Sequence, residues 1–280
     1  MSTTAPTIIA QLVEAMRALA GPHPGFRPVH AKGLVCSGTF RGSAQARSVS
    51  RALHLQGSTV PTVIRFSNSS GNPDVHDGLA NVRAMAVKFQ LPDKKNADIL
   101  ALAIEGFPAR TPEEFLAFLQ AQLPDPVTGQ PAPEALSRFL DAHSDTRAFL
   151  ERLAQKPVPA SYGQTSYYAE HAFLFTAADG TRRFGRYRWI PEAGEAFLSP
   201  ESASKRSANF LREELESRLQ KGPVVFRLLL QVAGEGDATD DVNALWPADR
   251  LLAELGHLEV TASHQPARPT NAAWCSTPPI

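Results

Sequence analysis

The chain has 280 residues, 43% of them apolar and 20% charged, and its 28 basic residues balance 28 acidic ones. That composition is ordinary for a globular protein, and without a basic run to neutralise a row of phosphates, nucleic acid is excluded as an expected partner. The longest apolar runs, such as 224–232, are interrupted by charge and far too short to span a bilayer.

The N-terminus lacks a basic region of the kind that opens a signal peptide. Instead, Ile8, Ile9, Leu12, Val13, Met16 and Leu19 fall at helical spacing and predict an amphipathic helix. "FRPVHAKGLVCSGTF" (26–40) opens the first segment with strand character and carries His30 at its mouth. "PTVIRFS" (61–67), "AMAVKFQ" (84–90) and "DILALAI" (98–104) are short runs bounded by Gly, Pro and Asn, and read as strands. "TPEEFLAFLQAQL" begins with Thr111 as a cap, Pro112 at the first helical position and Glu113 and Glu114 in the first turn. Two more helices are expected at "APEALSRFLDA" and "SDTRAFLERLAQ".

Strands then return. Asp179-Gly180 separates two strand-like runs and predicts a hairpin. A helix at "SANFLREELESRLQKG" is closed by Gly222, and strands are expected at 223–233 and 255–262. "GEGDATDD" (234–241) lacks the spaced ligands and closing glutamate of a calcium loop and reads as a solvated connection. Hairpin-linked strands with helices clustered between them predict one α+β domain built on an antiparallel sheet or barrel, not a doubly wound sheet. Two cysteines, Cys36 and Cys275, make neither a disulfide framework nor a metal cluster, which points to a cytoplasmic protein.

No nucleophile elbow, phosphate loop or dinucleotide fingerprint is present, and the eight histidines show no metal-ligand spacing. Taken alone, a histidine at a strand start is ordinarily solvated or bonded to backbone. "RPVHAKG", followed by "VIRFS" and "NVRAMAVKF", makes His30 more specific. These runs resemble the haem catalase superfamily, where the corresponding stretches read R-x-V-H-A-K-G, V-R-F-S and P-R-G-F-A-V-K-F. The likeness continues through "RTPEEF" to "LGHLEVTA", covers about 20–262, and is to the short branch of catalase-related (minimal-catalase) peroxidases.

The resemblance implies a closed antiparallel β-barrel with packed helices, holding haem b. It implies a peroxide and an organic electron donor as partners and leaves a homo-oligomer open. His30 matches the distal histidine, and Ser67 matches the serine that accepts a hydrogen bond from its far ring nitrogen. A peroxidase needs a group that takes a proton from one peroxide oxygen and returns it to the other, and histidine titrates in the right range. Arg27 matches an arginine that pairs with a haem propionate, for which a guanidinium fork is suited. Arg65 is expected on the proximal side, at a propionate or in a structural salt bridge, and Arg83 in a structural role. Val29 and Phe107 match apolar residues that narrow the pocket, although Phe107, Phe115 and Phe118 also read as core. Tyr167 and Tyr168 read as packing residues.

Two departures stand out. Large catalases carry a distal asparagine, and counting back from "RTP" puts that place at Ala103. Losing this polar group favours peroxidation with a separate donor over dismutation. The family's iron is held by a proximal tyrosine in an R-x-x-x-Y helix, whereas the last tyrosine here is Tyr187. The metal ligand is therefore unassigned: the proximal helix is expected to be missing and 263–280 to be a disordered tail, with His264 and Cys275 as minor candidates. Besides a haem-dependent peroxidase reducing organic hydroperoxides or hydrogen peroxide, the alternatives are a hydroperoxide-rearranging haem enzyme and a haem-poor remnant binding an apolar ligand in the barrel.

Overall fold

The computed structural model describes residues 6–79, 82–125, 129 and 133–264. Cys275 lies outside the described residues, as does the expected tail from 265 onward.

Eight strands close into a barrel. β1 (Gly33–Gly42), β2 (Thr59–Asn68), β3 (Arg83–Gln90) and β4 (Asn96–Leu102) form an antiparallel meander. Beyond β4 stand β6 (Tyr167–Tyr168) and β8 (Arg182–Pro191), then β10 (Val224–Val232) and β11 (Leu252–His264), which returns to β1. The β8–β10 pairing closes the ring. β7 (Phe173–Thr176) hangs on β8 through the turn at Asp179-Gly180, where Gly180 adopts φ +86°. A two-stranded ribbon of β5 (Val158–Pro159) and β9 (Phe197–Leu198) lies outside the barrel.

Period-2 burial decides which side chains enter the barrel. Leu34, Cys36 and Phe40 of β1 point inward, as do Ile64 and Phe66 of β2 and Met85, Val87 and Phe89 of β3. The interior is filled by its own rings: Phe40 meets Phe89 at 5.1 Å and Trp189 at 6.1 Å, and Phe66 stacks on Tyr162 at 5.5 Å. Such dense ring packing disfavours an apolar ligand held inside the barrel.

Helices pack against the barrel and each other. α1 (Ile8–Ala20) buries Ala15 against Leu116 and Leu119 of α2 (Pro112–Gln120), whose Thr111 cap accepts from the Glu114 N–H at 3.2 Å. α3 (Pro133–Ala142) and α4 (Ser144–Gln155) follow; α5 (Pro200–Ser204) and α6 (Phe210–Leu219) precede β10. No helix among the described residues is long and apolar enough to cross a membrane.

Two differences from expectation concern strand ends. β4 stops at Leu102, the residue that pairs with Tyr168 of β6, although the Ala103 N–H still bonds the Arg83 carbonyl of β3 at 2.8 Å. Ser263 and His264, expected in the tail, are the last residues of β11, opposite Cys36 and Val35. A strand end is set by its partner's length, and β1 extends far enough to pair both.

Candidate active site

His30 sits where the chain enters β1, and three contacts hold it. Its N–H donates to Ser69 O at 3.1 Å, its carbonyl accepts from Arg65 Nη2 at 2.6 Å, and its Nδ1 lies 3.0 Å from Ser67 Oγ. Its backbone is left-handed, at φ +54°. That conformation is uncommon for a residue with a side chain and costs on the order of 1 kcal/mol, so the surrounding bonds are what maintain it. Nε2, by contrast, makes no hydrogen bond among the described residues.

The cross-strand register explains why Ser67 reaches His30. Phe66 points into the barrel, so Arg65 and Ser67 point out. Gly33 lies opposite Ser67. A Cβ there would stand 2.4 Å from Phe66 O and 2.8 Å from Arg65 Nη2, so only glycine lets the Arg65 guanidinium lie across the strand to the His30 carbonyl.

Burial, then the charges of Arg65 and Arg27, push the His30 pKa down to about 4. The imidazole is therefore neutral at physiological pH. With Nδ1–H donating to Ser67 Oγ, Nε2 would carry the lone pair of a base. Arg65 is itself pushed down to about 10 by burial and by the neighbouring Arg27 charge. Neither arginine has a carboxylate within ion-pair distance among the described residues, which rules out a structural salt bridge there for Arg65. Two adjacent guanidinium groups without a counter-charge are a donor set suited to a dianion.

Beside them lies an outward-facing row of small and apolar side chains. Ser67 pairs with Ala84 and Ala84 with Leu102; one step along, Arg65 pairs with Ala86 and Ala86 with Leu100. Paired residues project to the same face, so His30 and Ser67 border a platform three strands wide, about 10 Å. Its middle strand bears only alanines at these positions, and Leu100 is 70% exposed. The structure also places Ala103, where the distal asparagine of large catalases was expected. Ala103 turns toward the interior, and the β4 residue level with Ser67 is Leu102, which is equally unable to hydrogen bond.

The remaining expected residues divide. Arg27 is exposed and close enough to lower both pKa values, and Val29 is half-buried next to His30. Phe107 packs on Phe115 at 4.9 Å and donates its N–H to Asn243 at 3.1 Å; neither contact joins it to His30. Arg83 is structural, donating to Asp77 O at 2.6 Å and to Leu79 O at 3.0 Å. Reading the sequence did not single out Lys32 and Asp77. Lys32 Nζ bonds Asp77 Oδ1 at 2.8 Å, and Asp77 also accepts from Asn68 Nδ2 at 2.8 Å and from the Leu211 N–H at 3.0 Å. This buried carboxylate ties the residues after His30 and Ser67 to the start of α6. The lysine of "HAKG" was the available signal.

The donor set here suits a dianionic macrocycle: the platform bears small and apolar side chains, two arginines have no carboxylate at ion-pair distance among the described residues, and a neutral imidazole stands at the edge. An axial ligand is less evident. The Tyr162 hydroxyl donates to Asn68 Oδ1 at 2.9 Å and that of Tyr167 to Tyr162 O at 2.9 Å, both inside the barrel. Tyr187 is also inside, against Phe175 at 5.1 Å. Tyr168 shares the outer row of Ser67 three strands away, about 14 Å, so it stands beside the platform rather than over it. His264 is exposed on β11. Among the described residues, no group of three or more His, Cys, Asp or Glu side chains could hold a metal ion.

The fold and this site define a catalase-type barrel. The catalase family model matches residues 10–264, and the chain belongs to the catalase family. Among its relatives, a catalase-related peroxidase of Mycolicibacterium paratuberculosis is 41% identical over 252 residues, covering 90% of this chain and 79% of that protein. A catalase-related peroxidase of Synechococcus elongatus is 34% identical over 265 residues, covering 95% and 77%. A solved fungal catalase superposes with a TM-score of 0.75 at 21% identity, over 85% of this chain and 50% of that one. Catalase A from Saccharomyces cerevisiae gives 0.75 at 20%, over 85% and 52%. The chain thus spans about half the length of the solved catalases it matches.

Proposed function

We propose that this chain is a haem-dependent peroxidase that reduces hydroperoxides, with His30 as its acid–base group. The observation carrying this reading is the threefold hold on His30, which leaves Nε2 alone free beside the platform. When bound, haem b would supply the iron chemistry that splits the peroxide bond. Arg27 and Arg65 would pair with its two carboxylates, and Ala84, Ala86, Leu100 and Leu102 would lie against its ring.

The residues' own part is proton handling. Nε2 takes the proton from the hydroxyl end of the hydroperoxide and returns it to the departing oxygen, which leaves as an alcohol or water. Ser67 keeps the proton of the imidazole on Nδ1, so that Nε2 starts as a base. Leu102, where a second polar group would help orient a second peroxide molecule, favours an organic donor as the reductant. Val29 would narrow the approach.

The test pairs haem titration with stopped-flow peroxide kinetics. His30→Ala should slow the reaction with peroxide roughly 10²–10⁴-fold, the usual worth of a positioned acid–base group, with haem affinity retained. Arg65→Ala and Arg27→Ala should weaken haem binding instead. Peroxide kinetics unchanged in His30→Ala would sink the assignment. Product analysis with a lipid hydroperoxide, with and without donor, separates reduction from rearrangement.

A further inference from the structure

The connection between α1 and β1 borders an open groove of about 580 Å³, within the usual size of a small-ligand site, about 300–1,000 Å³. Pro22, Pro24, Phe26 and Pro28 give it stiff, largely apolar walls, and Phe26 is 39% exposed. Gly71 lines it too. A Cβ there would run into the Pro28 carbonyl and the Ala20 side chain, so the floor closes only on a glycine. Arg27 is a wall of the same groove, and its charge acts on both His30 and Arg65. The groove therefore reaches the arginine end of the candidate site. Another large groove, around Arg41 and His257, lies toward the far end of β1, roughly 20–25 Å from Gly33.

His23 lines the groove as well and is half-buried. Its Nε2 lies 3.0 Å from the Ala20 carbonyl. A carbonyl only accepts, so Nε2 carries a hydrogen and, in the neutral ring, Nδ1 keeps its lone pair. Nδ1 makes no hydrogen bond among the described residues. A proline on either side restricts the backbone at 22–24, so the ring is held in place before any ligand arrives. Arg17 and Glu14, also on the wall, pair with each other at 3.1 Å.

We propose that this groove binds the reductant, a neutral monocyclic phenol, with its hydroxyl donating to His23 Nδ1 and its ring against Phe26. The proposal rests on the peroxidase reading above, in which a hydroperoxide takes two electrons from a separate donor. The balance is ROOH + 2 ArOH → ROH + H2O + 2 ArO•. Each phenol breaks its O–H bond, releases one electron toward the site and its proton to His23, and leaves as a phenoxyl radical; both protons end in the water. A donor must come close to the edge of the cofactor, because electron transfer weakens steeply with distance, and Arg27 is where the groove meets that edge. A phenol suits this lining better than an ionic donor. Arg17 is already paired and Arg27 would face a haem carboxylate, so the groove keeps no charge to select an ion. An aromatic ring also gains from Phe26 beyond the area it buries.

Two measurements on the full chain test this, one of them without haem. In NMR spectra, titration with 4-methoxyphenol should shift the His23 ring signals saturably, and cyclohexanol, which has a hydroxyl but no aromatic ring, should not. Phe26→Ala should weaken that binding about three- to tenfold. In the haem-loaded protein, reduction by 4-methoxyphenol is compared with reduction by ferrocyanide, a donor with no proton to lose, after reaction with cumene hydroperoxide. His23→Ala should lower the phenol-to-ferrocyanide ratio of rates about 10²-fold, the low end for a positioned proton acceptor. Unshifted His23 signals in the titration, or an equal ratio in parent and His23→Ala, overturns the proposal. If neither donor is oxidised, the peroxidase reading fails instead, and the titration alone decides whether the groove takes a phenol.

Discussion

His54 offers a sharp test of how the barrel handles a buried base. It lies between β1 and β2, is only 5% exposed, stacks on Phe89 at 4.5 Å, and has no hydrogen-bond partner at either ring nitrogen among the described residues. Burial pushes its pKa from 6.5 to about 4. The unfolded chain therefore binds a proton at this residue over a pH range where the folded chain does not, and stability must fall as pH drops from 6.5 toward 4. Between pH 7 and pH 5 the linkage amounts to about 2 kcal/mol, a sizeable part of the usual 5–15 kcal/mol total. Glu170 pulls the other way, since burial raises its carboxyl to about 7 and the folded chain takes up that proton first. The clean readout is therefore a difference. In urea denaturation, His54→Leu should lose about 2 kcal/mol less than the parent between pH 7 and pH 5, whatever the change in packing does to both values. Equal pH slopes in parent and variant would refute a neutral, buried His54.

Asp77→Asn leaves Lys32 buried without its counter-charge and should destabilise by about 3–5 kcal/mol, seen as a lower denaturation midpoint. Gly33→Ala should cost stability and weaken haem binding in a titration, because its Cβ would meet Phe66 O at 2.4 Å and the Arg65 guanidinium at 2.8 Å. Ala84→Phe raises a ring from the platform and should abolish the haem absorption band while far-UV circular dichroism stays unchanged. In the haem-loaded protein, the rate with peroxide should fall as pH drops through the His30 pKa, which is about 4 without counter-charges. Pairing the two arginines with carboxylates moves that limb upward, so it should lie above 4 and below 6.5 in the pH profile.

Much of this molecule was determined by its sequence alone. Short apolar or alternating runs bounded by Gly, Pro and Asn marked the strands of the meander, because such residues end a strand. Thr111 and Pro112 marked a helix start through local bonding, and Asp179-Gly180 marked a turn through the backbone freedom of glycine. "RPVHAKG" and "RFS" singled out His30 and Ser67. What only the tertiary structure decided are the relations across long stretches of chain. Ser67 is 37 residues from His30, and their bond exists because β1 and β2 pair in one register. The same register puts Leu102, not Ala103, level with Ser67: alternation says that neighbouring residues face opposite sides, but only pairing says which is which. The left-handed backbone of His30 depends on Ser69 and Arg65, and the role of Lys32 on Asp77 and on the Ala208 carbonyl, which accepts from Nζ at 2.6 Å from 176 residues away. Local patterns encode an element and its buried face. Closure of the barrel, which brings distant groups within 3 Å, is a property of all eight strands together.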